Sequence, residues 1–130
     1  MDNREPKNII NSANKHFNNV VVKQLPVGDV VFQDLCVERK EISDFVGSVQ
    51  NGRIFQQASN MALNYRKNWI IVVGTQAQAA FNKFVRFSVD QFLAAVASLE
   101  QIVSVVTVEN NTQFWKMCKY LFEKSTDGKN

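Results

Sequence analysis

Apolar positions along the chain switch repeatedly between helical and strand periodicity. Behind Pro6, the positions Ile9, Ile10, Ala13 and Phe17 recur at helical spacing, which predicts a helix over about Lys7 to His16, ended by Asn18-Asn19. Three short β-rich stretches follow. Val20-Val21-Val22 begins a strand that Pro26 closes, Val30-Val31-Phe32 follows the turn at Gly28, and Gln33-Asp34 turns into Leu35 to Arg39. Their brevity and turn chemistry predict a meander.

Helical spacing then returns. Ile42, Phe45, Val46 and Val49 form one stripe of a helix started by Glu41 or Ser43, and Asn51-Gly52 interrupts it. Ile54, Phe55, Ala58, Met61, Ala62 and Tyr65 mark the buried side of the next helix. The run Trp69 to Val73, closed by Gly74, is continuously apolar, as expected of a central strand covered on both faces. Thr75 to Arg86 reads as a loop with a short helical piece. Ser88 caps a helix with Val89, Phe92, Leu93, Val96 and Leu99 on one side, and Val103 to Val108 is a further strand. Thr112 is placed to cap a last helix carrying Phe114, Trp115, Met117, Cys118, Leu121 and Phe122. This order predicts an α/β domain over residues 1–124, a mixed sheet flanked by helices, and a polar tail over 125–130.

Composition narrows the class. With 130 residues, 45% hydrophobic and 21% charged, the chain suits one globular domain. No apolar run approaches the roughly 20 residues of a membrane span, and the opening Met1-Asp2-Asn3-Arg4-Glu5 is no secretory signal, so an intracellular location is expected, nuclear in a eukaryote and cytoplasmic otherwise. A net charge of +3 permits nucleic-acid binding without establishing it, because Lys and Arg are dispersed. Arg66-Lys67 is the best candidate for contact with a phosphate backbone. Cys36 and Cys118, in apolar settings far apart, read as buried free thiols, and the single His16 reads as a helix-end residue.

One stretch concentrates reactive side chains: Gly28-Asp29, then Glu38-Arg39-Lys40, then Asp44. Hydrolysis of a phosphodiester needs an activated water and neutralisation of the charge that develops on phosphorus. A hard cation held by two or three carboxylates does both, and Asp29 and Glu38 have the chemistry of its ligands. Lys40 lies two residues beyond Glu38, so on a continuous strand it faces the same side and is placed to orient the water or neutralise charge. Spacing alone fits equally well a Gly-Asp turn followed by a solvated strand end.

These residues resemble the signature of the XPF/Hef family of structure-specific DNA endonucleases. Asp2-Asn3-Arg4-Glu5 is similar to the Asp-x-Arg-Glu that opens such nuclease domains, and Gly52-Arg53-Ile54-Phe55-Gln56-Gln57 looks like their Gly-Arg segment. The resemblance is close from Asp2 to Gly74 and looser beyond. It implies a restriction-endonuclease-like fold, an Mg²⁺ or Mn²⁺ cofactor, and cleavage of branched, flapped or forked DNA in repair or recombination. It further implies that Asp29 and Glu38, with Glu5, hold metal, and that Lys40, Arg39 and Asp44 belong to the catalytic set. Asp2, Arg4, Glu5, Arg53 and Gln57 would support the site, with Arg53 also near DNA phosphates. A homodimer or heterodimer formed through C-terminal elements is expected, as is a weaker or partner-supplied junction selectivity, since no helix-hairpin-helix follows Asn130; and with only Met1 before Asp2, the apolar strand that leads into Asp-x-Arg-Glu in the family is very short here or cut off. The rival is a non-catalytic DNA-binding or scaffolding subunit, against which the intact Glu38-Arg39-Lys40 stands.

Overall fold

A computed structural model describes residues 21–22, 30–75 and 88–127. The expected helix at Lys7 to His16, the turn at Gly28 and the stretch Gln76 to Arg86 lie outside the described residues. Described elements are β1 (Val21–Val22), β2 (Val30–Phe32), β3 (Leu35–Glu41), α1 (Ile42–Gln50), α2 (Arg53–Asn64), β4 (Lys67–Val73), α3 (Val89–Leu99), β5 (Ser104–Val108) and α4 (Asn111–Asp127).

The five strands lie side by side in chain order. β1, β2 and β3 form the antiparallel meander, whereas β3–β4 and β4–β5 run parallel. The turn between β2 and β3 passes through Gln33 at φ 56°, a left-handed conformation uncommon for a residue with a Cβ. Parallel neighbours need crossovers, and crossovers share one hand. Two crossovers that step in the same direction with the same hand must lie on the same face, and this is the arrangement found. α1, α2 and α3 bury Phe45, Ile54, Met61, Phe92 and Leu99 against Cys36, Ile70 and Val72. α4 covers the other face, with Phe114, Trp115, Cys118 and Phe122 against Val30, Leu35, Val37, Ile71 and Val73.

Alternation along β4 divides its apolar run between these two cores, which is why the run is continuous rather than alternating. Aromatic pairs lock elements within each layer. Phe45 of α1 meets Phe92 of α3 at 5.6 Å between ring centroids, and Phe32 of β2 stacks on Phe122 of α4 at 4.9 Å. Such pairs account for much of the chain's phenylalanine. Gly52 sits at φ 81° between α1 and α2, where the reversal requires a left-handed residue.

Several expectations are corrected. β3 continues through Lys40 and Glu41, because β4 pairs it as far as Glu41↔Val73. α4 is capped by Asn110, whose Oδ1 accepts the Gln113 N–H at 2.9 Å while Gln113 Oε1 accepts the Glu109 N–H at 2.7 Å. The same helix runs on to Asp127, and Ser125 is buried, its Oγ accepting from Lys67 Nζ at 3.2 Å. The apolar arc of α4 is consumed by the sheet, and Lys116, Lys119, Tyr120, Glu123 and Lys124 are exposed. On α3, Val89 and Leu93 do not join the core, at 54% and 55% exposure, and Ala95 is buried in their place.

Ser88 caps α3 as the sequence predicts, in a reciprocal capping box with Gln91. Cys36 and Cys118 form no disulfide and are buried on opposite faces of the sheet, and burial pushes the Cys118 thiol well above its usual range.

Phe114→Ala is expected to cost about 3–5 kcal/mol, because Phe114 is fully enclosed, whereas Leu93→Asn should change stability by less than about 0.5 kcal/mol. Urea denaturation checks both, and equal losses at the two positions would contradict the packing described.

Candidate active site

β3 is the strand on which the reactive residues ride. Its first three residues, Leu35, Cys36 and Val37, are buried, and the next three, Glu38, Arg39 and Lys40, are half-buried. Pairing to β4 fixes their directions. Glu38 is level with Ile70 and Lys40 with Val72, and both of these β4 residues face α1–α3. Arg39 is level with Ile71, which faces α4. Strand alternation therefore sends Glu38 and Lys40 to one side of the sheet and Arg39 to the other.

Arg39 makes specific contacts there. Its Nε and Nη2 both donate to Asn111 Oδ1, at 3.0 and 2.6 Å, and Nη2 also donates to the Glu41 carboxylate. The guanidinium carbon stands 5.9 Å from the centroid of the Phe114 ring. Sequence reasoning did not single out Asn111. It lies 72 positions from Arg39, and no local spacing signals the pair.

Glu38 and Lys40 sit toward the carboxyl ends of parallel strands, where open α/β sheets bind their ligands. Asp44 follows in the first turn of α1, exposed, where a negative charge is favoured by the helix dipole. Glu41 occupies the N-cap position of α1 without bonding to it, since its carboxylate engages Arg39.

Arg53 opens α2 directly after the Gly52 turn and is exposed, its backbone N–H donating to Asn51 Oδ1 at 3.0 Å. One turn on, Gln57 Oε1 is buried with no hydrogen-bond partner among the described residues. A buried acceptor left without a donor costs on the order of 1–3 kcal/mol, so a position that keeps one is a candidate for function rather than stability.

Arg66 and Lys67 lie at the other end of β4, beside an open cavity of about 320 Å³ that Glu100, Ile102 and Ser104 also line. Arg66 is 82% exposed and only loosely paired, at 3.9 Å, with Asp34. Glu38 and Lys40 thus face the side of the sheet that α1–α3 cover, Asp44 stands in the first turn of α1, and Arg53 and Gln57 ride on α2, whereas Arg66 and Lys67 lie at the opposite end of β4. Asp2, Arg4, Glu5 and Asp29 lie outside the described residues.

Among the described residues, no three carboxylate, Cys or His side chains group as a metal set. The donor that is present, the Glu38 carboxylate, is a hard oxygen of the kind Mg²⁺ and Mn²⁺ take.

A mixed sheet sandwiched by helices, with β3 and β4 at its centre, is a restriction-endonuclease-like fold. The fold is similar to that of XPF from Aeropyrum pernix, with a TM-score of 0.72 at 29% identity over 96% of this chain and 61% of that one. XPF from the same organism in complex with DNA matches with a TM-score of 0.68 at 31% identity, over 82% of this chain and 52% of that one. Residues 1–121 match the model of the ERCC4 domain, and the chain belongs to that family, which includes the nuclease domains of XPF proteins.

Among curated relatives, the DNA repair endonuclease XPF of Mus musculus is 41% identical over 49 residues, covering 37% of this chain and 5% of its own. The 3'-flap repair endonuclease Xpf of Saccharolobus solfataricus is 41% identical over 56 residues, covering 42% of this chain and 24% of its own. The chain therefore aligns with only a small part of these relatives' length.

Replacing the side chain whose amide oxygen lacks a partner among the described residues by a similar apolar one, Gln57→Met, should leave stability unchanged or raise it by about 1 kcal/mol. Chemical denaturation reads this directly. A loss above about 1 kcal/mol would mean that the Gln57 amide serves the fold.

Proposed function

We propose that this domain is a divalent-metal-dependent DNA endonuclease acting near flaps, forks or other branches, within DNA repair or recombination. The observation that carries this reading is the projection of Glu38 and Lys40 from one face of β3, near the carboxyl ends of parallel strands. Membership of the ERCC4-domain family supports it, as do the names of similar proteins: repair endonucleases, a 3'-flap repair endonuclease, and an XPF solved with DNA.

In this reading Glu38, Asp29 and Glu5 hold Mg²⁺ or Mn²⁺ through carboxylate oxygens. A cation held there would supply Lewis acidity, making a water more acidic and offsetting charge on the phosphate. Lys40, an ammonium on the same side as Glu38, donates to the attacking water or to the phosphate oxygen on which charge develops. Asp44 orients the start of α1 beside the strand. Arg53 and Gln57, on consecutive turns of α2, present a cation and an amide to the phosphate or to the ligating carboxylates. Arg39 belongs to the same signature but works from the opposite face, so its part in the reaction is indirect.

Arg66 and Lys67 form a separate phosphate contact at the far end of β4, and their loss should weaken DNA binding without touching chemistry. Pairing of protomers through C-terminal elements completes the reading. The exposed apolar positions there are Val89, Leu93 and Ile102 on and after α3, and Tyr120 on α4.

Labelled flap, fork and duplex DNA incubated with Mg²⁺ or Mn²⁺ tests the assignment. Wild type is expected to cut near the branch. Asp29→Asn and Glu38→Gln should abolish cutting, and Lys40→Ala should lower turnover by about 10²–10³-fold while DNA binding is kept. Binding without cutting under every metal condition would favour the non-catalytic scaffold, and unchanged turnover in Lys40→Ala would remove that residue from the mechanism. Arg66→Glu should weaken binding of all these DNAs to a similar degree and lower the salt slope by about one. Anisotropy titrations at several salt concentrations measure this.

A further inference from the structure

Between Glu38 and Lys40 stands a residue that cannot reach their side of the sheet and is held by specific contacts on the other. Two N–H groups of the Arg39 guanidinium converge on one oxygen, Asn111 Oδ1, at 3.0 and 2.6 Å. The planar cation is fixed further by the Glu41 carboxylate and by the Phe114 ring, with its centroid 5.9 Å away. Only 11% of the Arg39 side chain is exposed. A guanidinium held through Nε and Nη2 together has its plane set as well as its position, which a lysine ammonium could not provide.

The far end of this tie is rigid. Asn111 is the first residue of α4, directly after the Asn110 cap, and Phe114, Trp115, Cys118 and Phe122 seat that helix in the core. The near end is the stretch of β3 that carries Glu38 and Lys40. Beyond Val37 this strand has no fully buried side chain up to Glu41, so apolar packing does not fix its twist there. A strand held on one face transmits that hold to the side chains on the other, because both hang from one pleated backbone.

We infer that Asn111 is a positioning residue, acting through Arg39 to fix the orientation of Glu38 and Lys40. For its effect on turnover this rests on the nuclease reading; for its effect on the strand it does not. The bond lies near solvent and its net stabilisation is small, so its contribution is to geometry, where displacements of about 1 Å cost rates far more than they cost stability.

The test uses the full chain, with Asn111→Ala, Asn111→Asp and, as an exposed control on α4, Lys116→Ala. Asp keeps an oxygen where Oδ1 stands and suits the first turn of a helix. With flap DNA and Mn²⁺, Asn111→Ala is expected to lower kcat by about tenfold or more with KM within about twofold, and Asn111→Asp to restore it. Hydrogen exchange at the Glu38 to Glu41 amides should quicken in Asn111→Ala relative to the β4 amides, return to the wild-type rate in Asn111→Asp, and stay unchanged in Lys116→Ala. An unchanged kcat in Asn111→Ala, a failure of Asn111→Asp to rescue, or unaltered exchange on β3 would each overturn the inference. Should wild type cut no DNA under any metal condition, the nuclease reading falls. The exchange pattern alone then decides: local quickening reversed by Asp upholds the tie, and its absence refutes it.

Discussion

β3 and β4 run parallel and in register over seven residues, from Leu35 beside Lys67 to Glu41 beside Val73. Once that register is set, every residue of β3 is assigned to one face of the sheet or the other, and a slip by one position would exchange the two sets. The assignment separates three consecutive charged residues. Glu38 and Lys40 go to the layer of α1–α3, and Arg39 goes to α4. An anion and a cation share one face of a strand only when the residue between them is sent to the other, and α4 receives it there with Asn111 and Phe114.

The packing protects this arrangement from both sides. Leu35, Cys36 and Val37 anchor the first half of β3 in two cores, so the register is established by apolar contacts before the charged half begins. Beyond Val37, hydrophobic burial gives way to ladder hydrogen bonds and to the Arg39 tie. Burial and charge are thus divided along one strand. The N-terminal half carries the free energy of burial, and the C-terminal half carries groups that a stability-optimised strand would not hold.

Much of the architecture was legible because single-face periodicity survives in the residues themselves. Ile42, Phe45 and Val46 mark the inner stripe of α1, Gly52 marks the break, and Trp69 to Val73 mark a doubly covered strand. The misreadings share a physical cause: local pattern does not state how much partner surface is available. Val89 and Leu93 fit a helical stripe, yet the described residues place no layer over them.

A run of charges reads as a strand end at Arg39, whereas pairing with β4 carries β3 on to Glu41. In the site, the common side of Glu38 and Lys40 followed from alternation alone. The role of Arg39 did not, because its partner Asn111 is fixed by tertiary structure.

The two cysteines acquire a meaning from the sheet that separates them. Cys36 is enclosed among α1, α2 and α3, and Cys118 is enclosed beneath α4. A thiol reagent reaches each only when its own layer lifts, so the chain carries one built-in clock for each side of the sheet. Their reaction rates would time the breathing of the reactive layer and of its counterweight independently, in a molecule to which nothing has been added.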